Sequence, residues 1–193
     1  VGQVEMVQAE QGLITGTFPL TPIQKWFVEQ EHADPHHWNQ SMLLRVNRSI
    51  NPALLKEAIA QLLAHHDALR LRFAQDEGQW QQQYGEWTEE VPFHIEDLSD
   101  LPEAEQIRQL EAIADSVQRS LNIVEGPLIK AVYFHLGIER DGRLLLVIHH
   151  LAVDGVSWRI LLEDLKKAYQ QLVQGKEVQL PLKTTSLKEW VHR

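Results

Sequence analysis

The strongest chemical signal in the sequence is one short segment, His149-His150-Leu151-Ala152-Val153-Asp154-Gly155. An imidazole with an ordinary pKa of about 6.5 exchanges protons readily near neutral pH. Asp154 can orient the turn or an imidazole, and Gly155 can adopt a backbone angle that a side chain forbids. The segment therefore predicts a site for proton transfer, with one of its histidines as the reactive group.

The residues before this segment indicate how it is positioned. Leu144 to Ile148 are apolar without interruption, which predicts a central strand covered on both faces. Such a strand ends at a sheet edge, where loops commonly form ligand sites. Successive strand side chains point to opposite faces, so His149 and His150 have different roles. One is expected to enter a cleft, while the other packs or holds the backbone.

Histidines of this kind can also be structural, bind a metal ion or belong to a catalytic triad. The His-His dipeptide also occurs at His36-His37 and His65-His66, so by itself it is compatible with a purely structural role. A metal centre is not favoured, because no His-Glu-x-x-His helix or other dense ligand spacing is present. A Ser-His-Asp triad lacks the Gly-x-Ser-x-Gly elbow that usually presents its serine. We therefore expect no metal ion at the site.

Five segments have the pattern of helices. Thr21-Pro22 and Asn51-Pro52 each place a capping residue before a proline, which is typical of a helix start. Ser157 is predicted to cap a further helix, which Gly175 ends. The predicted helices begin at Pro22 and at Pro52, run over Pro102–Leu121 and Trp158–Val173, and begin again within Thr184–Arg193.

The predicted strands alternate with these helices. Asp76-Glu77-Gly78 predicts a hairpin turn between two of them. The pattern therefore predicts an α/β fold, a mixed sheet with packed helices, preceded by a linker or connector over residues 1–16. The strands are expected at Asn39–Val46, Leu69–Phe73, Gln79–Tyr84, Val91–Ile95, Leu128–Leu136 and Leu144–Ile148.

Composition limits the classes of function. The 193 residues have a formal net charge of −9, which disfavours binding to nucleic acid or to an anionic membrane surface. There is no cysteine, so disulfides and thiolate chemistry are excluded, and we expect a cytoplasmic protein. Because the chain begins with Val1 rather than Met, we expect it to be part of a longer protein.

Several motifs together resemble one family. The string His-His-x-x-x-Asp-Gly continues through Val156-Ser157-Trp158-Arg159-Ile160-Leu161-Leu162-Glu163-Asp164-Leu165, and the chain also contains Pro22-Ile23-Gln24-x-Trp26-Phe27 and His36-His37-Trp38-Asn39-Gln40-Ser41. This combination resembles the epimerization domains of nonribosomal peptide synthetases. These belong to the condensation-domain superfamily, whose fold is like that of chloramphenicol acetyltransferase. The resemblance covers residues 17–193 and implies the N-terminal lobe of such a domain.

The resemblance implies roles for the residues of the motif. His150 would face the reaction tunnel as the catalytic residue, while His149, Asp154 and Gly155 would support the motif structurally. Ser157 and Trp158 are candidates to line the tunnel, and a helix cap and a core aromatic are equally good interpretations of them. The related segment His66-Asp67-Ala68-Leu69-Arg70 resembles a second superfamily motif, which helix termination and sheet packing explain as well.

The resemblance also implies a reaction and its partners. The domain would invert the α-carbon of an aminoacyl or peptidyl residue held as a thioester on the phosphopantetheine of a peptidyl carrier protein, with no cofactor bound directly. A partner glutamate, from a Glu-Gly-His-Gly-Arg-Glu-like motif, would come from a C-terminal lobe, and that motif is absent here. Two alternatives stay open: a condensation domain that forms a peptide bond, and a non-catalytic lobe that docks a carrier protein.

Overall fold

The computed structural model describes residues 9–30, 32–86, 88 and 90–192. Residues 1–8 of the predicted connector, and Arg193 at the end of the last predicted helix, lie outside the described residues. The connector's final residue, Gly16, already belongs to the first strand. The predicted mixed α/β fold is confirmed, with these elements: β1 Gly16–Phe18, α1 Pro22–Glu29, β2 Asn39–Val46, α2 Pro52–His65, β3 Leu71–Asp76, β4 Gln79–Tyr84, β5 Phe93–Asp97, α3 Glu103–Gln118, β6 Ile129–His135, β7 Gly142–His149, α4 Gly155–Val173 and α5 Leu187–Val191.

The central sheet has the strand order β2-β7-β6-β5. Strand β7 runs antiparallel to both of its neighbours, whereas β5 and β6 are parallel and are joined through α3. Side chains along β7 alternate between two hydrophobic cores. Leu144, Leu146 and Ile148 pack in the core shared with α2 and α4, while Leu145 and Val147 pack in the core shared with α3. The predicted central strand, covered on both faces, is confirmed.

A smaller sheet has the strand order β1-β4-β3. The predicted hairpin is confirmed, since β3 and β4 pair through a turn in which Glu77 and Gly78 have φ angles of 47° and 80°. The predicted strand start at Leu69 is wrong, because residues 67–70 form a 3₁₀ turn. The Arg70 guanidinium holds this turn by donating to the Leu63 carbonyl at 2.5 Å, and the strand therefore begins at Leu71.

Two predicted helix starts are confirmed by their caps. Thr21 and Gln24 form a capping box at α1, and the Asn51 side chain accepts from the first backbone N–H groups of α2. The predicted cap of α4 is wrong, because Asp154 occupies that position and Ser157 lies inside the first turn.

The third helix ends earlier than its apolar pattern predicts. Its last residue is Gln118, and Leu121 is buried in the core beside α3 without being helical. Within the described ranges, none of the helices is long and apolar enough to cross a lipid bilayer.

Candidate active site

The His-His pair lies where β7 ends and the chain turns towards α4. Strand β7 finishes at His149, and the His150 backbone N–H donates to the Trp38 carbonyl at 2.8 Å, just before β2 begins. Antiparallel pairing of β2 with β7 places Asn39 opposite His149. His149 is fully buried and His150 is exposed, so the two side chains lie in different environments, as alternation along the strand predicts.

His149 is held entirely by the protein. Its Nε2 donates to the Pro35 carbonyl at 2.9 Å, and its Nδ1 accepts from the Leu151 backbone N–H at 3.2 Å. The ring also lies edge-on to Phe27, with centroids 5.8 Å apart. Burial lowers the pKa of His149 to about 4, so the imidazole is neutral at neutral pH. Neither ring nitrogen is free to meet a substrate.

The two ring nitrogens of His150 have different hydrogen-bond partners. Its Nδ1 lies 2.8 Å from the Val153 carbonyl, and its Nε2 lies 3.1 Å from the Gln40 amide nitrogen. A carbonyl oxygen only accepts, so Nδ1 carries the hydrogen of the neutral ring and Nε2 carries the lone pair. This is the tautomer that a general base requires at Nε2.

A cleft of about 610 Å³ opens beside His150. This volume is within the usual range for sites that bind small molecules. Apolar side chains from α1 and from the loop before β2 form much of its wall, and Asp154 is the one acidic residue among the described residues that line it. The lining consists of Thr21, Ile23, Gln24, Trp26, Phe27, Trp38, Ala68, His150, Leu151, Ala152, Val153, Asp154, Ser157 and Leu187.

A larger cavity of about 870 Å³ lies elsewhere, between β1, α1 and β4. Its charged lining residues, Lys25 and Glu29, are within 3.8 Å of each other as an exposed ion pair. No histidine is among its described lining residues. Size therefore does not identify the site, and the smaller cleft is the candidate because His150 lines it.

Asp154 and Ser157 form the N-terminal cap of α4. The Asp154 carboxylate accepts from the Ser157 backbone N–H at 2.7 Å and from the Ser157 hydroxyl at 2.6 Å. These hydrogen bonds lower the pKa of Asp154 below its usual value. Gly155 is the first helical residue and does not have a positive φ, so the special backbone angle predicted there is absent. Ser157 also lines the cleft.

Trp158 and Gln40 connect the site to the core. Trp158 is buried, and its indole N–H donates to the Gln40 side-chain oxygen at 2.8 Å. The sequence pattern alone does not indicate Gln40 as a site residue, because it does not show which strand pairs with β2. That pairing places Gln40 opposite Ile148, two residues before His150. Knowing that β2 pairs with β7 would have identified Gln40 as a site residue.

The second motif forms a structural network. Asp67 accepts from Arg70 at 2.5 Å and from Lys183 at 2.9 Å, and all three side chains are about one-tenth exposed or less. Arg70 also donates to the Ile14 carbonyl at 3.3 Å. From this motif only Ala68 is among the residues that line the cleft. These contacts tie the 3₁₀ turn to the segment before β1 and to the segment before α5.

One cluster outside the cleft has side chains of metal-binding type. His65, His66 and Asp164 bring their potential ligand atoms within 4.8 Å of one another. Within it, His66 Nε2 lies 2.8 Å from Asp164 Oδ2, a hydrogen bond that joins the C-cap of α2 to α4. Burial lowers the pKa of His66, so its neutral ring donates to the carboxylate. The cluster is thus explained as a helix-to-helix contact.

Comparison with known proteins places the chain in a family. The condensation domain family matches residues 14–193. A linear gramicidin synthase of Brevibacillus parabrevis is 58% identical over 192 residues, covering 100% of this chain and 4% of that protein. The crystal structure of the epimerization domain from the third module of tyrocidine synthetase B is 40% identical, with a TM-score of 0.88. It covers 96% of this chain and 41% of the solved chain.

A condensation domain gives a more distant match. The first condensation domain of the calcium-dependent antibiotic synthetase is 22% identical with a TM-score of 0.78, covering 92% of this chain and 42% of that chain. At this identity the likeness concerns the fold alone. The chain thus spans under half the length of these solved domains and a small part of the gramicidin synthase. By the family match over residues 14–193, the chain belongs to the condensation domain family.

Proposed function

We propose that residues 17–193 are the N-terminal lobe of an epimerization domain in a nonribosomal peptide synthetase. The observation that carries this proposal is the 40% identity and TM-score of 0.88 to a solved epimerization domain, over 96% of the chain. The condensation domain of the calcium-dependent antibiotic synthetase is 22% identical and supports only the common fold. The substrate would be an aminoacyl or peptidyl thioester on the phosphopantetheine arm of a peptidyl carrier protein.

The chemistry proposed at His150 is removal of the substrate's α-hydrogen. The thioester carbonyl acidifies this hydrogen, and the Nε2 lone pair of His150, which accepts from the Gln40 amide, lies beside the cleft. Proton removal leaves an enolate-like intermediate, and reprotonation from the opposite face inverts the α-carbon. Because Nε2 of the neutral tautomer has no hydrogen to donate, the geometry favours His150 as a base over His150 as an oxyanion donor.

Inversion requires a second proton-transfer group on the far side of the planar intermediate. Asp154 is poorly placed to serve, because two hydrogen bonds from Ser157 to its Oδ1 hold the carboxylate at the cap of α4 and lower its pKa. We assign the second group to a C-terminal lobe, which would also complete the wall of the cleft. The walls contributed here are mostly apolar and would exclude water from the enolate-like species.

A condensation reaction is the second candidate, because the match to the condensation domain family is compatible with either reaction. There the same Nε2 lone pair would assist an amine that attacks the thioester. The two reactions differ in the bond that breaks: a Cα–H bond in epimerization, and the thioester C–S bond in condensation. This difference makes them separable by experiment.

The test uses the complete domain with an L-aminoacyl carrier protein in deuterated water. Epimerization predicts α-deuterium in the amino acid released from the carrier, together with growth of the D-isomer, in the absence of any acceptor. A parallel reaction contains a second aminoacyl carrier as acceptor. Peptide formation there, without α-deuterium in either reaction, would overturn the proposal in favour of condensation.

A further inference from the structure

Four groups at the candidate site form one continuous hydrogen-bonded series. The Trp158 indole N–H contacts the Gln40 side-chain oxygen at 2.8 Å, and the Gln40 amide nitrogen contacts His150 Nε2 at 3.1 Å. The other nitrogen of the ring, Nδ1, contacts the Val153 carbonyl at 2.8 Å. This hydrogen-bonded series therefore runs from a core aromatic, through β2, to the loop that follows β7.

The groups at the two ends of this series fix which group donates in each of its hydrogen bonds. An indole N–H can only donate, so the atom of Gln40 that it meets must be the carbonyl oxygen. The amide NH₂ of Gln40 then faces His150 and donates to Nε2. At the other end a backbone carbonyl can only accept, so Nδ1 must be the donor. Both ends demand the same neutral tautomer of His150.

The groups at both ends of this hydrogen-bonded series are held by burial and by backbone pairing. Trp158 is 4% exposed in the core beneath α4. Gln40 lies on β2, opposite Ile148 in the antiparallel pair, and the His150 backbone is tied to the Trp38 carbonyl. The Gln40 amide therefore cannot turn its oxygen towards His150 without losing the bond to Trp158.

We propose that Gln40, oriented by Trp158, is a positioning residue that holds His150 as a neutral base with its lone pair on Nε2. A protonated ring would direct its own Nε2–H at the Gln40 NH₂, placing two donors against each other. Gln40 thus keeps the lone pair of His150 on Nε2 until a substrate arrives, and the amide moves aside when the substrate's α-hydrogen approaches Nε2. The inference rests on the proposed function, because it assigns meaning to the base form of His150.

A test of this proposal must leave the other ionisable groups around His150 unchanged. Asp154 at the start of α4 and His149 on β7 both interact electrostatically with the ring. The loop before β2 brings Asp34 and His36 towards His149. Among the described lining residues, α1 and α5 contribute no charged side chain to the cleft. None of these groups is altered by a substitution at residue 40.

The test is the pH profile of α-hydrogen exchange in the complete domain with aminoacyl carrier. Gln40→Glu keeps the acceptor for Trp158 but places a carboxylate against Nε2, which favours the protonated ring. We expect exchange at pH 7 to fall by up to about 10-fold for each unit by which the half-maximal pH moves upwards, and to recover towards pH 9. Gln83→Glu makes the same change on an exposed part of β4 and should leave the profile unchanged.

A second variant keeps the proposal testable if Gln40→Glu fails to fold. Trp158→Phe keeps a buried aromatic but removes the N–H, so the Gln40 amide can turn over and offer its oxygen to Nε2. We expect a shift of the half-maximal pH in the same direction and of smaller size. Unchanged profiles in both variants, with His150→Ala inactive, would overturn this inference and leave the proposed function standing. Exchange at the normal rate in His150→Ala would overturn the proposed function itself.

Discussion

At the residue scale, the two adjacent histidines are separated by burial. His149 is fully buried with both ring nitrogens bonded to the backbone, whereas His150 is exposed and its Nε2 accepts from the Gln40 amide beside a cleft. Alternation along a strand predicts this separation from the sequence, because neighbours on a strand face opposite ways. Which of the two enters the cleft came only from the family resemblance.

His149 should make the fold sensitive to acid. Its pKa is lowered to about 4 in the folded chain, while an unfolded histidine binds a proton below about 6.5. Between these values the unfolded state binds more protons, so the free energy of unfolding falls as pH drops, by up to about 3 kcal/mol for this group. Below about pH 4 both states are protonated and this contribution no longer changes.

Denaturant unfolding at pH 7, 5.5 and 4.5 measures this effect. His149→Gln should be less stable at pH 7 and should lose less stability on acidification, with the remaining loss supplied partly by His66, whose pKa is also lowered. His94→Gln, on an exposed position of β5, should keep the parent's pH dependence. An identical pH dependence in His149→Gln would show that its imidazole is not the group responsible.

The role of Gln40 at the site could not be predicted from the sequence. Its role depends on β2 pairing with β7, strands separated by about a hundred positions in the chain. Periodicity identifies each strand but not its partner, so the contact of Gln40 with His150 was not predictable. The hydrogen bond from Trp158 was hidden for the same reason.

At the element scale, local patterns predicted most helices and strands but not all of their ends. The starts of α1 and α2 were predictable because a capping side chain and a proline act within one turn. The start of β3 was not, because Arg70 bonds to the Leu63 carbonyl and to Asp67 and so bends the chain into a 3₁₀ turn. Alternating Leu69 and Leu71 gave no sign of that bend.

The cap of α4 gives a prediction at this scale. Asp154→Ala removes both hydrogen bonds to Ser157, and loss of such a cap should lower the free energy of unfolding by about 1 kcal/mol. Asp154→Asn retains an acceptor and should remain near the parent's stability. Thermal melting of the complete domain measures both, with Asp100→Ala, at an exposed loop position, as the matched control. If Asp154→Ala melts like the parent but has lost all exchange activity, Asp154 belongs to the chemistry instead.

At the scale of the whole molecule, the cleft lies on a surface rich in exposed apolar side chains. Ile23, Trp26 and Trp38 line it and are each about half exposed or more. Val156, next to the cap of α4, is also exposed. Monomeric proteins rarely leave contiguous apolar surface uncovered, which suits the second lobe that we propose.

The 193-residue chain alone should therefore fold without catalysing epimerization. Under the proposed function, this lobe supplies His150 but not the second proton-transfer group, and water would enter the uncovered cleft. Purified chain mixed with L-aminoacyl carrier in deuterated water is expected to give no α-deuterium above the carrier-only background. Sedimentation at rising concentration is expected to show self-association through the uncovered face. Clear α-deuterium incorporation would mean that one lobe is sufficient, contrary to the two-lobe account.

The central claim is that His150 removes the α-hydrogen, and its substitution in the complete domain tests this most directly. Single-turnover exchange of α-hydrogen for deuterium is measured on L-aminoacyl carrier for the parent, His150→Ala and the exposed control His94→Ala, with circular dichroism to confirm folding. The account predicts at least about a 100-fold loss of exchange in His150→Ala, the usual scale for a positioned base, and no loss in the control. A folded His150→Ala domain that exchanges at nearly the parent's rate would contradict the account.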